Sequence, residues 1–274
     1  MRALWTSASG LNAQQIKLDT VANNLANVNT TGYKSQDVNF KDLLYAQFVQ
    51  KPDVGNLTNR LTEPGLRIGH GVRVTGLAQS MAQGSLQQTT QLLDVALEGN
   101  GFFKVESDSN NTYTRDGSFK VGILNDEPFL VDASGRRLLD ADNRPISLAG
   151  YDIETLTVAP NGTLNAVQTG QGTREDIAVL QIAVIDHPDA NLQPAGGNYL
   201  ELNAGVPAGT VRNQNNYAAG DQPAKARQGY LEGSNVNMAA QMTEMIVAQR
   251  AYSMNAKMVQ TADEMMGLAN NLRN

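Results

Sequence analysis

Apolar positions recur every seven residues at both ends of the chain, whereas its middle breaks into short β-branched and aromatic runs separated by turns. Near the C-terminus, Met238, Met245, Tyr252, Val259 and Met266 form one such row, with Met242, Ala256, Ala262 and Ala269 beside it at helical offsets. A repeat sustained that long predicts one amphipathic helix over residues 236–272 with a coiled-coil-like seam. At 1.5 Å per residue its length is roughly 50 Å. Asn235 or Asn237 is placed to cap its first turn with a side-chain oxygen. The N-terminus carries a matching row, Leu4, Leu11, Leu18 and Leu25, flanked by Ala8, Val21, Ala22 and Val28. Gly32 then offers a left-handed residue to end that helix.

Between the helices the pattern changes. Phe40, Leu43, Leu44, Tyr45 and Phe48 suggest a short helical continuation within residues 33–50. Residues 51–71, rich in Pro and Gly, read as an extended arm. From residue 72 to about 230 the signals are those of strands and tight turns. Phe102 to Val105, Tyr113-Thr114 and Phe119 to Val121 alternate with turn pairs such as Asp116-Gly117, Ser134-Gly135 and Asn161-Gly162. Residues 177–185 form the strongest single predicted strand. Such turn density predicts an antiparallel, all-β domain. The expected fold class is therefore α+β. Residues 1–33 with 234–274 make a paired helical assembly domain, 34–71 a connecting arm, and 72–233 the central β domain.

Composition narrows the functional classes. The formal net charge is −6 and no basic stretch stands out, which argues against nucleic acid as a partner. There are no cysteines, so disulfide and thiolate-metal chemistry are excluded. No run approaches eighteen apolar residues, so no membrane-inserting helix is expected. The N-terminus does not read as a cleaved secretory signal; a protein leaving the cytoplasm with it would need another route. The two histidines, His70 and His187, lie far apart in loop-like contexts. No nucleophile elbow, Walker A loop or H-E-x-x-H pair occurs. Asp140-Ala-Asp142-Asn-Arg144 begins like a calcium loop, but Arg144 stands where an oxygen ligand belongs, and a solvated turn is expected. No catalytic, metal or cofactor site is expected, and the chain does not read as an enzyme.

Three stretches carry a resemblance. Ala22-Asn-Asn-Leu-Ala-Asn-Val-Asn-Thr-Thr-Gly-Tyr-Lys34 is similar to the N-terminal signature of the bacterial flagellar rod and hook family. Leu231-Glu-Gly-Ser-Asn-Val-Asn237, followed by Ile246-Val-Ala-Gln-Arg-Ala-Tyr252, resembles its C-terminal signature. Asp94-Val-Ala-Leu-Glu-Gly-Asn-Gly-Phe-Phe103 and Tyr113-Thr-Arg-Asp-Gly-Ser-Phe119 resemble its central β domain. Within the family the distal rod branch is nearest, with a proximal-rod or Gram-positive rod/hook-like relative as the alternative.

The resemblance implies a structural subunit, located in the flagellar basal body. It implies export by the flagellar type III apparatus, self-association into a helical tube and contact with neighbouring rod and hook proteins. The signature positions it carries over are Asn23, Asn24, Asn27, Gly32, Asn235, Asn237, Gln249 and Arg250. The Leu and Met rows would then be assembly seams, where each fully buried Leu or Met contributes about 2 kcal/mol. Asn23, Asn24, Asn27 and Asn29 are poor helix-interior residues. They either fray a helix end or bond to adjacent subunits. Seven of the nine methionines follow residue 237, which suits either adaptable packing or simple core filling. A β-rich adhesin on a helical stalk is the competing class. It would need an aromatic-lined cleft in the β domain, yet the single tryptophan, Trp5, belongs to the N-terminal helix.

Overall fold

A computed structural model describes residues 2–43, 46–47, 67–107, 112–124, 126–170, 172–213, 217 and 224–271. The chain divides into two compact units. One comprises Met1–Leu25, Gln36–Ala78 and Met238–Asn274; the other comprises Ala26–Ser35 and Gln79–Asn237. The N-terminal signature is thus shared between them, its first residues in the helical unit and its last in the β unit.

The helical unit holds α1 (Arg2–Ala26), β1 (Gln36–Asp42), the short pair β2 (Ala46–Gln47) and β3 (Arg67–Ile68), β4 (Val72–Gln79) and the 34-residue C-terminal helix, α3 (Met238–Asn271). β1 pairs with β4. The helical continuation expected within residues 33–50 is therefore a strand. Val38 is buried between exposed Asp37 and Asn39, the period of two that a strand imposes. Phe40 is exposed, and Leu44, Tyr45 and Phe48, on which that expectation also rested, lie outside the described residues. So does most of the expected arm, residues 48–66.

The β unit contains an antiparallel sheet of six strands. Its members are β7 (Phe102–Val105), β8 (Thr112–Thr114), β14 (Ile182–Ile185), β15 (Leu192–Gly196), β16 (Tyr199–Leu202) and β17 (Val211–Arg212), in the order β15-β16-β8-β7-β14-β17. A one-turn helix, α2 (Pro188–Asn191), precedes β15. Smaller antiparallel sheets surround it. β11 (Tyr151–Val158), β12 (Thr163–Gln168) and β13 (Arg174–Val179) form one, and β9 (Lys120–Leu124) with β10 (Glu127–Val131) another. β18 (Lys225–Gln228) pairs with β6 (Val95–Glu98), and β19 (Tyr230–Glu232) with β5 (Leu86–Gln88).

Two apolar cores follow from the pleat of β7. Phe103 points into the larger, with Leu97, Val105, Leu130, Leu148 and Leu164, and meets Phe119 edge-on at 5.0 Å. Its neighbour Phe102 points the other way, to Tyr113, Ile185, Leu192 and Leu200.

The predicted strand over 177–185 is two strands in two sheets. β13 ends at Val179 and β14 begins at Ile182. Between them Leu180 N–H donates to Gly162 O, and Gln181 N–H donates to Leu139 O. A run that is apolar apart from Gln181 reports burial on both faces, and says nothing about which neighbours supply the hydrogen bonds.

The Asp116-Gly117 turn is where predicted. The Asp116 carboxylate accepts Ser118 N–H, and the Thr114 hydroxyl accepts Asp116 N–H. Gly117 is required by proximity: a Cβ there would lie 1.7 Å from the Val95 carbonyl oxygen. Gly117→Ala is expected to destabilise the β unit by about 3 kcal/mol or more, read from its urea midpoint. Gly135→Ala meets no neighbouring atom and carries only the strain of its positive φ, so it should cost less.

Candidate assembly interface and signature cluster

In the helical unit, side-chain contacts among the described residues relate α1 to α3. A Cβ on Gly10 would stand 2.9 Å from Asn255 Nδ2. Lys17 Nζ lies 2.8 Å from Glu244 Oε2. Asn24 Nδ2 donates to Gln241 Oε1 at 3.2 Å. Contacts descend along α1 as they ascend along α3, so the two helices run antiparallel at these points. The residues that meet in these contacts are small or polar; the buried residues of the two helices are Ala13, Thr20, Val21 and Asn24 on α1 and Ala248 on α3.

The expected rows stand beside this contact line. Leu4, Leu11, Leu18 and Leu25 are half-buried, as are Met245 and Val259. Met238, Tyr252 and Met266 are exposed. Exposed apolar surface on α3 extends well past them. Met238, Met242 and Ile246 line one side of its first turns, and Val247, Met254, Met258 and Met265 follow one another at steps of seven, four and seven. Those steps keep a single helical face. A scattered exposed methionine needs no explanation, but a continuous stripe does.

Lys17 also holds β1, donating to Asp37 Oδ1 at 2.5 Å. Burial alone would lower the Lys17 pKa; the hydrogen bonds and charges of Asp37 and Glu244 outweigh it and raise it. The Asp37 carboxyl is lowered, chiefly by the Lys17 hydrogen bond. A carboxyl depressed on folding contributes stability above its unfolded pKa of about 4 and loses it as pH falls through the folded value. Helical circular dichroism should therefore become more heat-labile as pH falls below 4. Asp37→Asn should reduce that dependence while changing little at pH 7, because the Asp37 carboxylate is largely exposed.

Several signature residues bond within the chain. Asn24 is buried; its amide donates to Gln36 O at 2.7 Å and its carbonyl accepts Gln36 N–H at 2.9 Å, starting β1. An intermolecular role was one expectation for this amide, but its oxygen and nitrogen are engaged within the chain. Thr30 donates from its hydroxyl to the Asn27 side chain. Asn23, Asn237, Gln249 and Arg250 are exposed. Asn235 accepts Ser35 N–H and donates to the carbonyls of Ser80 and Ala82, so its side chain ties loops of the β unit together instead of capping α3.

Gly32 also differs from expectation. α1 ends at Ala26, six residues earlier, so Gly32 is not its cap. Its φ of +67° is left-handed as expected, but the cause is contact. Its N–H donates to Glu232 O at 2.8 Å, and a Cβ would lie 2.7 Å from Asp116 N.

That contact borders a cluster which the sequence reading missed. Glu232 is fully buried and takes Lys34 Nζ on Oε1 at 2.7 Å and Arg115 Nη1 on Oε2 at 3.1 Å. Gly84 N–H completes the Oε1 shell at 2.9 Å, and Lys34 also donates to Ala82 O. Burial pushes the Lys34 ammonium down, opposed by Glu232 and assisted by Arg115. Each resembling stretch does carry one of these charges, Lys34, Arg115 or Glu232, but nothing in the sequence pairs them.

Comparison with known proteins accounts for the grouping. Residues 4–34 match the family described as flagella basal body rod protein, 96–166 the flagellar hook protein FlgE/F/G D1 domain, and 227–272 the flagellar basal body rod FlgEFG protein C-terminal region. The flagellar basal-body rod protein FlgG of Borreliella burgdorferi is 38% identical over 274 residues, covering 100% of this chain and 99% of that one. The chain belongs to the FlgG-type flagellar rod family. FlgG of Agrobacterium fabrum is 36% identical, covering 98% of each chain. The flagellar hook-basal body complex protein FlhP of Bacillus subtilis is 32% identical over the full length of both. As a rod-family member the chain is a structural subunit of the flagellar basal body. Each matched region supplies one charge of the buried cluster: Lys34 from the rod segment, Arg115 from the D1 segment and Glu232 from the C-terminal segment. Among the described residues no group of His, Cys, Asp or Glu could hold a metal ion, and no helix is long and apolar enough to cross a membrane.

Proposed function

We propose that the chain polymerises into the helical tube of the distal rod, which transmits motor torque to hook and filament and encloses the export channel. The terminal helices are its assembling layer, meeting in coiled-coil-like pairs with the Leu4–Leu25 and Met238–Met266 rows among the seams, and the β unit is the outer layer. The observation that carries this is the apolar surface of α3. Ten of its large apolar side chains are exposed, more than an unassembled helix would gain from. Methionine is suited to such a face because its flexible thioether fits non-identical neighbours. Adjacent rod and hook proteins cap the tube at either end, and subunits arrive through the flagellar type III export apparatus. Electron microscopy of the purified full-length chain at rising concentration tests the reading. Rods or tubes of uniform width are expected. A chain that stays monomeric at every concentration, and does not add to isolated rods, would overturn it.

A further inference from the structure

The outer side of α1 plays no part in its contact with α3. Trp5, the single tryptophan of the chain, is 76% exposed there. Gly10 faces Asn255 of α3, and each residue turns a helix by about 100°. Trp5, five residues before Gly10, therefore lies roughly 140° round α1 from the side facing α3. Asp19, nine residues after Gly10, lies at roughly 180° and is exposed as well. Trp5 and Asp19 thus share the side of α1 turned away from α3. Asp19 is the only acidic residue of that helix.

α3 offers a matching side. Counted from Asn255 in the same way, Met258 and Met265 lie roughly 60–80° round the helix, and Arg250 lies beside them at roughly 140° in the same sense. All three are exposed, and Lys257 adds a second exposed cation on the side of Arg250. Neither Asp19 nor Arg250 has an ion-pair partner among the described residues. Trp5 and Asp19 stand fourteen residues apart, Arg250 and Met265 fifteen, or about 21 and 23 Å of helix. An α1 laid antiparallel on this side of α3 therefore sets Trp5 on Met265 when Asp19 meets Arg250. Within one chain the two sides cannot meet, because Trp5 and Asp19 are on the far side of α1. Between copies they can, and such a head-to-tail contact continues from copy to copy without closing on a pair.

We propose that the Trp5–Asp19 side of α1 docks on the Met265–Arg250 side of α3 in a second copy of the chain. The Trp5 indole lies against methionine thioethers, a favourable sulfur–aromatic contact, and Asp19 pairs with Arg250. The contact rests on the rod reading, for which it names the surface that covers the α3 stripe. With one tryptophan in the chain, indole fluorescence reads Trp5 alone. In the dilute full-length chain Trp5 should emit as a hydrated indole. As copies associate, followed by light scattering, that emission should move to shorter wavelength. Asp19→Arg and Arg250→Asp should each raise the concentration needed for association about tenfold or more, since each sets like charges together. The double variant should return to within about threefold of the unsubstituted chain. Both residues are exposed, so helical dichroism of the dilute variants should be unchanged. Association that leaves Trp5 emission unmoved overturns this contact while the rod reading stands. So do single variants that associate like the unsubstituted chain, or a double variant no better than either. An emission shift that appears only when other rod proteins are added gives Trp5 a different partner and overturns the second copy as occupant. A chain that never associates, alone or on isolated rods, overturns both readings.

Discussion

Replacing Glu232 by Ala is expected to destabilise the β unit by about 3–5 kcal/mol, the loss that follows when one partner of a buried ion pair is removed. The substitution strands Lys34 and Arg115 without their carboxylate and leaves Gly84 N–H without its acceptor. Lys34→Met is the informative contrast. It removes one of the two cations and leaves Arg115 with Glu232 as a balanced pair, so its cost should be clearly smaller. Urea unfolding followed by near-ultraviolet dichroism of the β-unit tyrosines would rank the two. Equal losses, or a loss under 1 kcal/mol for Glu232→Ala, would mean that the cluster is hydrated in solution. Replacing all three residues by apolar ones of similar size could leave stability unchanged, because desolvation offsets most of the Coulomb attraction in a buried pair. The cluster then serves to select one arrangement of three chain segments in the β unit.

Met258→Asp should abolish rod assembly and swimming while leaving the free subunit folded. Met258 is 57% exposed, so a carboxylate there remains hydrated in the monomer and should shift its stability by less than about 0.5 kcal/mol. In an assembled rod the same carboxylate would be enclosed by apolar surface with no partner, at a cost of several kcal/mol at each subunit contact. Val259→Asp separates the two effects. Val259 is half-buried within the helical unit, so that variant should lose helix stability before assembly is tested. Met258→Leu should assemble normally. Helical dichroism of the purified variants, together with motility in soft agar, distinguishes these outcomes. If Met258→Asp cells build rods and swim, the Val247-to-Met265 stripe is not an interface.

The sequence by itself determined the types of the terminal helices and of most central strands, though not of residues 36–42, read as helical and folded as β1. Heptad spacing yields helices because 3.6 residues per turn returns every seventh side chain to nearly the same face. Residues 238–271 could therefore be assigned without knowing their neighbours. The Asp116-Gly117, Ser134-Gly135 and Asn161-Gly162 turns were equally legible, since their side-chain and backbone requirements are local. Family membership was legible for a related reason: the signature stretches are contiguous in the chain.

Tertiary structure decided what each residue touches. Periodicity selected the bulky row, Met238 to Met266, whereas contacts between α1 and α3 fall on Gly10 with Asn255, Lys17 with Glu244 and Asn24 with Gln241. Small and polar residues permit close approach and carry no hydrophobic signal. The 177–185 run is apolar except for Gln181, and that single polar residue is the one mark of its transfer between sheets at Leu180-Gln181. Gly32 was rightly read as left-handed, but the demand came from Asp116, 84 positions along the chain, and not from the helix before it. Lys34, Arg115 and Glu232 were each visible as single charges. Their meeting depends on contacts more than a hundred residues apart, and only the folded chain brings those together.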